Sequence, residues 1–211
     1  TESGIPDFRS VDGLYSQKYD YPPETILSRS FFDARPEAFF QFYRDKLLHP
    51  GALPNPAHLK LAEWERAGKL TAVITQNIDG LHQAAGSRKV LELHGSVRRN
   101  ACMACGKRFS MDFIRETDGV PRCACGGIVK PEVVLYEEPL DEGVMEEAVR
   151  ALAGADLLLI GGTSLAVYPA AGLVRYFKGK RLVVINKSAT PMDEKADLCI
   201  QDSIGAVLSR L

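Results

Sequence analysis

Four of the five cysteines are grouped as Cys102-Met-Ala-Cys105 and Cys123-Ala-Cys125, with 17 residues between the two pairs. Two such knuckles supply four soft thiolates that close a tetrahedral shell around one zinc ion and leave no position for a substrate water, so the pattern predicts a structural site. A dithiol redox role for Cys102 and Cys105 fits less well, because a second pair lies nearby. Cys199 stands apart and reads as a core residue. An odd count arranged as metal ligands argues against a disulfide framework, and for a reducing, cytoplasmic compartment.

A second group of residues could act on a ligand. Gln76-Asn-Ile-Asp79-Gly-Leu-His82 directly follows an apolar run ending at Thr75. Open α/β sheets bind ligands beyond the carboxyl ends of their strands, so two amides and a carboxylate emitted there are placed to grip a ribose or an amide. Asp79 could equally serve only to cap the following helix, which Gly86 would end, but capping leaves Gln76 and Asn77 unexplained. Val90-Leu-Glu-Leu-His94-Gly95 alternates as a strand and delivers His94 to its end, where a neutral imidazole can act as a general base near neutral pH. Taken alone, a histidine at a strand end is more often structural, and its neighbours decide the matter. Gly161-Gly-Thr-Ser164 and Asn186-Lys-Ser188 follow two further apolar runs and offer small or polar groups where phosphates and a ribose can approach backbone amides.

The elements that must position these groups follow from the same runs. Thr71–Thr75, Asp156–Ile160 and Arg181–Ile185 are short, apolar and bounded by glycine, lysine or polar turns, as strands buried on both faces should be. Between them lie helices with legible ends: Asn55-Pro56 as cap and first turn with Gly68 as the stop, residues 141–153 stopped by Gly154, and Pro169–Phe177 stopped near Gly179. Strand, helix, strand in this order predicts a Rossmann-like α/β domain whose mostly parallel sheet carries helices on both faces. Residues 97–130 interrupt that pattern with few large apolar side chains and four cysteines, too little to bury a separate core, so they are expected to form a small zinc-binding module that depends on its metal. The expected division is 1–96 with 131–211 for the nucleotide-binding domain, and 97–130 for the module.

Composition narrows the function classes. Apolar residues at 45% and charged residues at 25% fit a globular chain and leave little room for long disorder or fibrous repeats. With 26 basic against 27 acidic residues the formal net charge is −1, which provides no broad cationic field for nucleic acid or anionic lipid. The longest uncharged stretch, 157–174, is broken by Gly161, Gly162, Thr163, Ser164 and Pro169 and so reads against a membrane span. No nucleic-acid or membrane partner is expected. No basic segment followed by an apolar one opens the chain, and no strand precedes Thr1, where a parallel nucleotide-binding sheet ordinarily starts with one.

Taken together, Gly4-Ile-Pro-Asp-Phe-Arg9, Thr75–His82, Leu93-His-Gly-Ser96, the four cysteines, Lys130-Pro-Glu-Val-Val-Leu-Tyr-Glu-Glu138, Gly162-Thr-Ser-Leu165 and Ile185-Asn186 resemble, in the family's order and over nearly the whole chain, the sirtuins of bacterial or archaeal type. These are NAD-dependent protein lysine deacylases. The resemblance implies NAD as co-substrate, one structural zinc ion, and acetylated or acylated lysine in proteins or peptides as substrate. It implies His94 as the base and Asn77 beside it as catalytic residues. Thr1, Phe8 and Arg9 would belong to the cofactor-binding loop, Gln76 would meet the nicotinamide ribose, and Asn77, Ile78 and Asp79 would shape the nicotinamide pocket. Gly162, Thr163, Ser164, Asn186, Lys187 and Ser188 would hold the adenosine half, with Gln201 near the adenine. Val134, Tyr136 and Val167 would line the acyl-lysine tunnel.

In the chemistry so implied, the acyl oxygen attacks C1′ of the ribose as nicotinamide leaves, forming an alkylimidate, and His94 removes a proton through the ribose hydroxyls so that an oxygen of the same ribose attacks the imidate carbon; with one water consumed as the carbon–nitrogen bond breaks, free lysine and O-acyl-ADP-ribose result. The resemblance also implies a glycine-rich motif upstream of Thr1, and hence that a chain extended to include it binds NAD more tightly than residues 1–211. Lys130 replaces the family's commoner arginine, and Glu137 stands where many members have glycine. Tyr43-Arg-Asp-Lys46 only partly matches the Tyr-x-x-Arg of desuccinylating members, which favours deacetylation. The competing readings are a sirtuin-type mono-ADP-ribosyltransferase and a non-catalytic nucleotide-sensing or zinc-ribbon module.

Overall fold

The structure, a computed structural model, describes residues 1–6 and 20–211. Phe8 and Arg9 lie outside the described residues.

The chain first folds into three short helices, α1 (Pro23–Ile26), α2 (Arg29–Ala34) and α3 (Pro36–Lys46). Proline at the first position starts α1 and α3, where its missing N–H is no loss, and the Ser28 hydroxyl caps α2 by accepting from the Phe31 amide. No sequence pattern above marks them. They are held by aromatic packing, with Phe32, Phe39, Phe40 and Tyr43 fully buried and Phe32 meeting Phe39 edge-on at 5.0 Å. Helix α4 (Pro56–Arg66) begins as the sequence predicts: the Asn55 side chain accepts from the amides of Ala57 and His58, while His58 Nδ1 accepts from the Asn55 amide.

Strand β1 (Val73–Thr75), helix α5 (Leu81–Ala84) and strand β2 (Val90–Glu92) follow, with β1 and β2 paired in parallel. Strands β3 (Gly95–Cys102) and β4 (Arg108–Phe109), helix α6 (Met111–Glu116) and strand β5 (Val129–Val133) build an antiparallel sheet in the order β4-β3-β5. Helix α7 (Glu142–Ala153), capped by Asp141 through the Val144 amide, leads to strand β6 (Leu157–Gly161), strand β7 (Arg181–Ile185), strand β8 (Leu198–Ile200) and helix α8 (Ile204–Leu208). Strands β6, β7 and β8 are parallel in that order. The parallel strands therefore fall into a two-stranded and a three-stranded sheet.

Alternation along β7 shows why helices cover both faces of the larger sheet. Leu182 and Val184 pack with Ile160, Ala171 and Val174 on one side, whereas Val183 and Ile185 meet Ala57, Trp64 and Leu208 from α4 and α8 on the other. The segment expected as a helix from Pro169 is a 3-10 helix over Ala170–Tyr176, so the tighter turn replaces the α geometry there.

The cysteine-bearing segment has no core of its own. Cys102, Cys123, Ile114 and Val129 share one apolar cluster with Phe31, Phe39 and Phe40 of the first helices. Arg44 of α3 reinforces that union, donating to the carbonyls of Ile114 at 2.8 Å and Gly119 at 2.6 Å. Cys199, expected in the core, is exposed: among the described residues β8 pairs only with β7, and the thiol donates to the Asp193 carbonyl.

Candidate active site: a cleft at the strand ends

Each ligand-competent loop leaves the carboxyl end of a parallel strand. After β1, the Thr75 hydroxyl accepts from the Asn77 amide at 3.0 Å, and Asp79 Oδ1 accepts from the Leu81 amide at 2.8 Å. The N-cap of α5 is Gly80, which has no side chain to cap with, so Asp79 bonds the first helical amide from one position further upstream. Gly80 turns at φ 72°, and Arg98 lies across it, donating from Nε to the Asp79 carbonyl. Glycine at position 80 serves the left-handed turn, and the Arg98 side chain lies against it.

His94 sits in the turn between β2 and β3, half-buried, with Nδ1 3.0 Å from the Gln76 carbonyl. A carbonyl can only accept, so Nδ1 carries the proton and Nε2 is left as the basic nitrogen. Burial lowers the His94 pKa from its ordinary 6.5, against the Gln76 carbonyl, which raises it. At neutral pH the ring is therefore a free base. Its surroundings are rigid: the Leu93 amide donates to Thr75, the Val134 amide to His94, and a Cβ on Gly95 would overlap the Glu132 carbonyl.

One cleft of about 1890 Å³ collects the predicted groups. Gln76, Asn77, Ile78, Asp79 and His94 line it from β1 and the β2–β3 turn. Gly162, Thr163 and Ser164 line it after β6, and Asn186, Lys187 and Ser188 after β7. Thr1, Val134, Tyr136 and Val167 complete the wall. Gln201 does not line the cleft; its amide donates to the Lys187 carbonyl at 3.4 Å, behind the loop after β7.

The glycine turn after β6 has φ 62° at Gly162, and the Thr163 hydroxyl accepts from the Leu165 amide. A Cβ on Gly161 would run into the Ile204 side chain, so α8 packs directly on the strand end. Backbone thus comes to the cleft surface at a strand end, which is what close approach of a dinucleotide's phosphates requires.

Two groups were not marked by sequence. Arg98 braces the loop after β1, and Glu138 is half-buried against Lys130 Nζ at 3.0 Å, Arg29 Nη1 at 3.1 Å and the Leu135 amide at 2.8 Å. Burial alone would raise the Glu138 pKa, but the Leu135 amide and the Lys130 ammonium outweigh it and hold the carboxyl below the usual carboxylate range. Lys130 thus keeps an ion pair with Glu138, which lines the cleft.

The four cysteine thiols lie within 4.8 Å of one another, with Cys102 to Cys125 at 3.4 Å and Cys105 to Cys123 at 3.7 Å. A tetrahedral shell with Zn–S near 2.3 Å has edges of about 3.8 Å, so the thiols fit one zinc ion with little movement. None of the four lines the cleft.

His82 adds a pH-sensitive element beside the cleft. Its ring meets that of His58 at 4.6 Å, and its Nδ1 is buried with no partner among the described residues. Burial first, and then the neighbouring His58, pull its pKa down to about 4 from 6.5. The folded protein holds His82 neutral while the unfolded chain takes up a proton below pH 6.5, so stability is full above that pH and falls as pH drops towards 4. The expected loss is about 3 kcal/mol across this window. Urea unfolding at a series of pH values checks it: the native chain loses stability more steeply between pH 6.5 and 4 than a His82→Gln variant, and parallel slopes would remove His82 as the cause.

A parallel α/β unit with a cleft at its strand ends and a tetrathiolate module defines a nucleotide-using enzyme with a structural zinc site. The Sir2 family model matches residues 1–169, and the chain belongs to that family. It is 59% identical over 215 residues to an NAD-dependent protein deacetylase of Clostridium perfringens (strain 13 / Type A), a match covering 100% of this chain and 88% of that protein. A solved Sir2 homologue mutant in complex with ADP-ribose superposes with a TM-score of 0.90 at 37% identity, covering 99% of this chain and 84% of that one. A Sir2–p53 peptide–NAD+ complex gives 0.85 at 40% identity, with 99% and 85% covered. Among the described residues no helix is long and apolar enough to cross a membrane.

Proposed function

We propose that this protein removes acetyl and related acyl groups from protein lysines with NAD as co-substrate, releasing nicotinamide and O-acyl-ADP-ribose. The observation that carries the reading is His94: a half-buried imidazole fixed as the Nδ1–H tautomer against Gln76, in a cleft shared with the loops after β1, β6 and β7. The deacetylase relative in Clostridium perfringens and the sirtuin complex holding NAD+ and a peptide support the same reaction.

NAD supplies a ribose carbon that becomes electrophilic as nicotinamide departs. The chain's residues do the rest. Gln76, Asn77, Ile78 and Asp79 receive the nicotinamide end, Gly162, Thr163 and Ser164 with Asn186, Lys187 and Ser188 hold the adenosine end, and Gln201 supports the last of these loops. Val134, Tyr136 and Val167 guide the acyl-lysine towards His94, whose Nε2 takes a proton relayed through the ribose hydroxyls. Asn77 acts beside it, where its exposed side chain faces the cleft. For Phe8 and Arg9, outside the described residues, the reading keeps a cofactor-binding role.

Residues 97–130 serve as the zinc module within a catalytic domain of 1–96 and 131–211, and the thiolate cluster supports a reducing cytoplasmic setting. Incubation with NAD and an acetyl-lysine peptide, followed by mass spectrometry of all products, tests the reaction. Deacetylated peptide together with O-acetyl-ADP-ribose is expected. ADP-ribosylated peptide in their place would favour the transferase reading, and unchanged reactants a binding module.

A further inference from the structure

Glu137 adopts φ 75°, the left-handed region that side chains avoid, in the segment joining β5 to α7. Its carboxylate accepts from both donors of Ser30: the amide at 2.9 Å and the hydroxyl at 3.0 Å. The same two segments are joined beside it, where the Tyr136 amide donates to the Leu27 carbonyl and the Arg29 amide donates to the Tyr136 carbonyl. Tyr136 and Glu137 both line the cleft, whereas Ser30 does not. The cleft wall at Tyr136 and Glu137 is thus tied to the Ser30 segment by a side chain whose own backbone is strained.

We propose that Glu137 is a positioning residue for acyl-peptide binding: its double hydrogen bond to Ser30 holds the left-handed backbone at the rim and so fixes Tyr136 towards the incoming peptide. This rests on the deacylase reading above. Residues held in sparsely populated backbone regions persist where surrounding contacts over-determine them, and they gather at ligand clamps. Here those contacts are the turn bond from the Glu138 amide to the Leu135 carbonyl, the Tyr136 backbone pairing with Leu27 and Arg29, and the Ser30 pair, which is the one made by the Glu137 side chain. Glycine would reach the same φ without strain but without an anchor, and alanine would keep the strain and lose the anchor.

The test is a graded series, Glu137→Gln, Glu137→Gly, Glu137→Ala and Ser30→Ala, with KM for an acetyl-lysine peptide, KM for NAD and kcat measured separately. Peptide affinity is also read by fluorescence anisotropy, which needs no turnover. Glu137→Ala is expected to raise the peptide KM and Kd about fivefold, the size of one or two lost hydrogen bonds, with the NAD KM within twofold of the native value. Glu137→Gln, which still accepts from the Ser30 amide, restores most of the affinity, and Ser30→Ala falls between. A uniform drop in thermal stability with peptide KM and Kd unchanged in Glu137→Ala would overturn the proposal. A native protein that binds the peptide without deacetylating it would instead overturn the reaction while leaving the Glu137 series to be scored on Kd.

Discussion

Replacing His94 by alanine lowers deacetylation by about a hundredfold or more, the contribution of a positioned general base, while NAD affinity and thermal stability stay close to native. Three features of the structure set this expectation. The Gln76 carbonyl fixes the proton on Nδ1, so Nε2 is the basic nitrogen. The ring is held between Leu93, tied to Thr75, and Gly95, for which no larger residue fits. Burial lowers the His94 pKa, so the base is already free at neutral pH. A base works only unprotonated; the pH profile of kcat/KM should therefore rise to its plateau along an acid limb lying below pH 6.5. The His94→Ala variant should lose that limb along with the rate. Turnover within tenfold of native, with titration calorimetry showing unchanged NAD binding, would take the base role away from His94.

Removing the metal is expected to be the largest change in stability. Structural zinc supplies apparent folding energy of about 10–16 kcal/mol in isolated zinc-finger peptides, and here two of the four ligands, Cys102 and Cys123, lie in the same apolar cluster as the first three helices. Loss of the ion therefore loosens more than residues 97–130: α3, tied by Arg44 to Ile114 and Gly119, is released as well. Cys102→Ser should lower Tm by about 10 °C or more, since each kcal/mol corresponds to roughly 2–4 °C in a chain of this size. Elemental analysis should find one zinc per chain in the native protein and less than half of that in the variant. Because none of the cysteines lines the cleft, exchanging zinc for cadmium or cobalt should leave activity within a fewfold of native. A metal-free chain with native Tm would refute the structural role, and activity that tracks the identity of the metal would place the ion in the chemistry.

Much of this was determined by local sequence. The cysteine spacing specified a closed four-thiolate site because zinc asks only for four soft ligands in reach. The Asn55-Pro56 start of α4, the Gly154 stop of α7 and the strand Arg181–Ile185 were legible because caps, stops and short two-sided apolar runs act over a few residues. His94 and the Gln76–Asp79 loop were marked as ligand-competent by their place after a strand.

Tertiary structure decided what depends on distant partners. The helices over 23–46 are made by aromatic packing against Ile114, Val129 and Val133, a partnership between segments some eighty residues apart that no local period announces. The 3-10 geometry of Ala170–Tyr176, the exposure of Cys199 at a sheet edge and the turning of Gln201 onto Lys187 were each set by neighbours rather than by propensity. The proton on His94 Nδ1 and the anchoring of Glu137 by Ser30 belong to the same class, since each needs a partner 18 or 107 residues away in the chain. Sequence carries the residue types that chemistry requires; only the folded chain decides which of them a given carbonyl, hydroxyl or apolar face will meet.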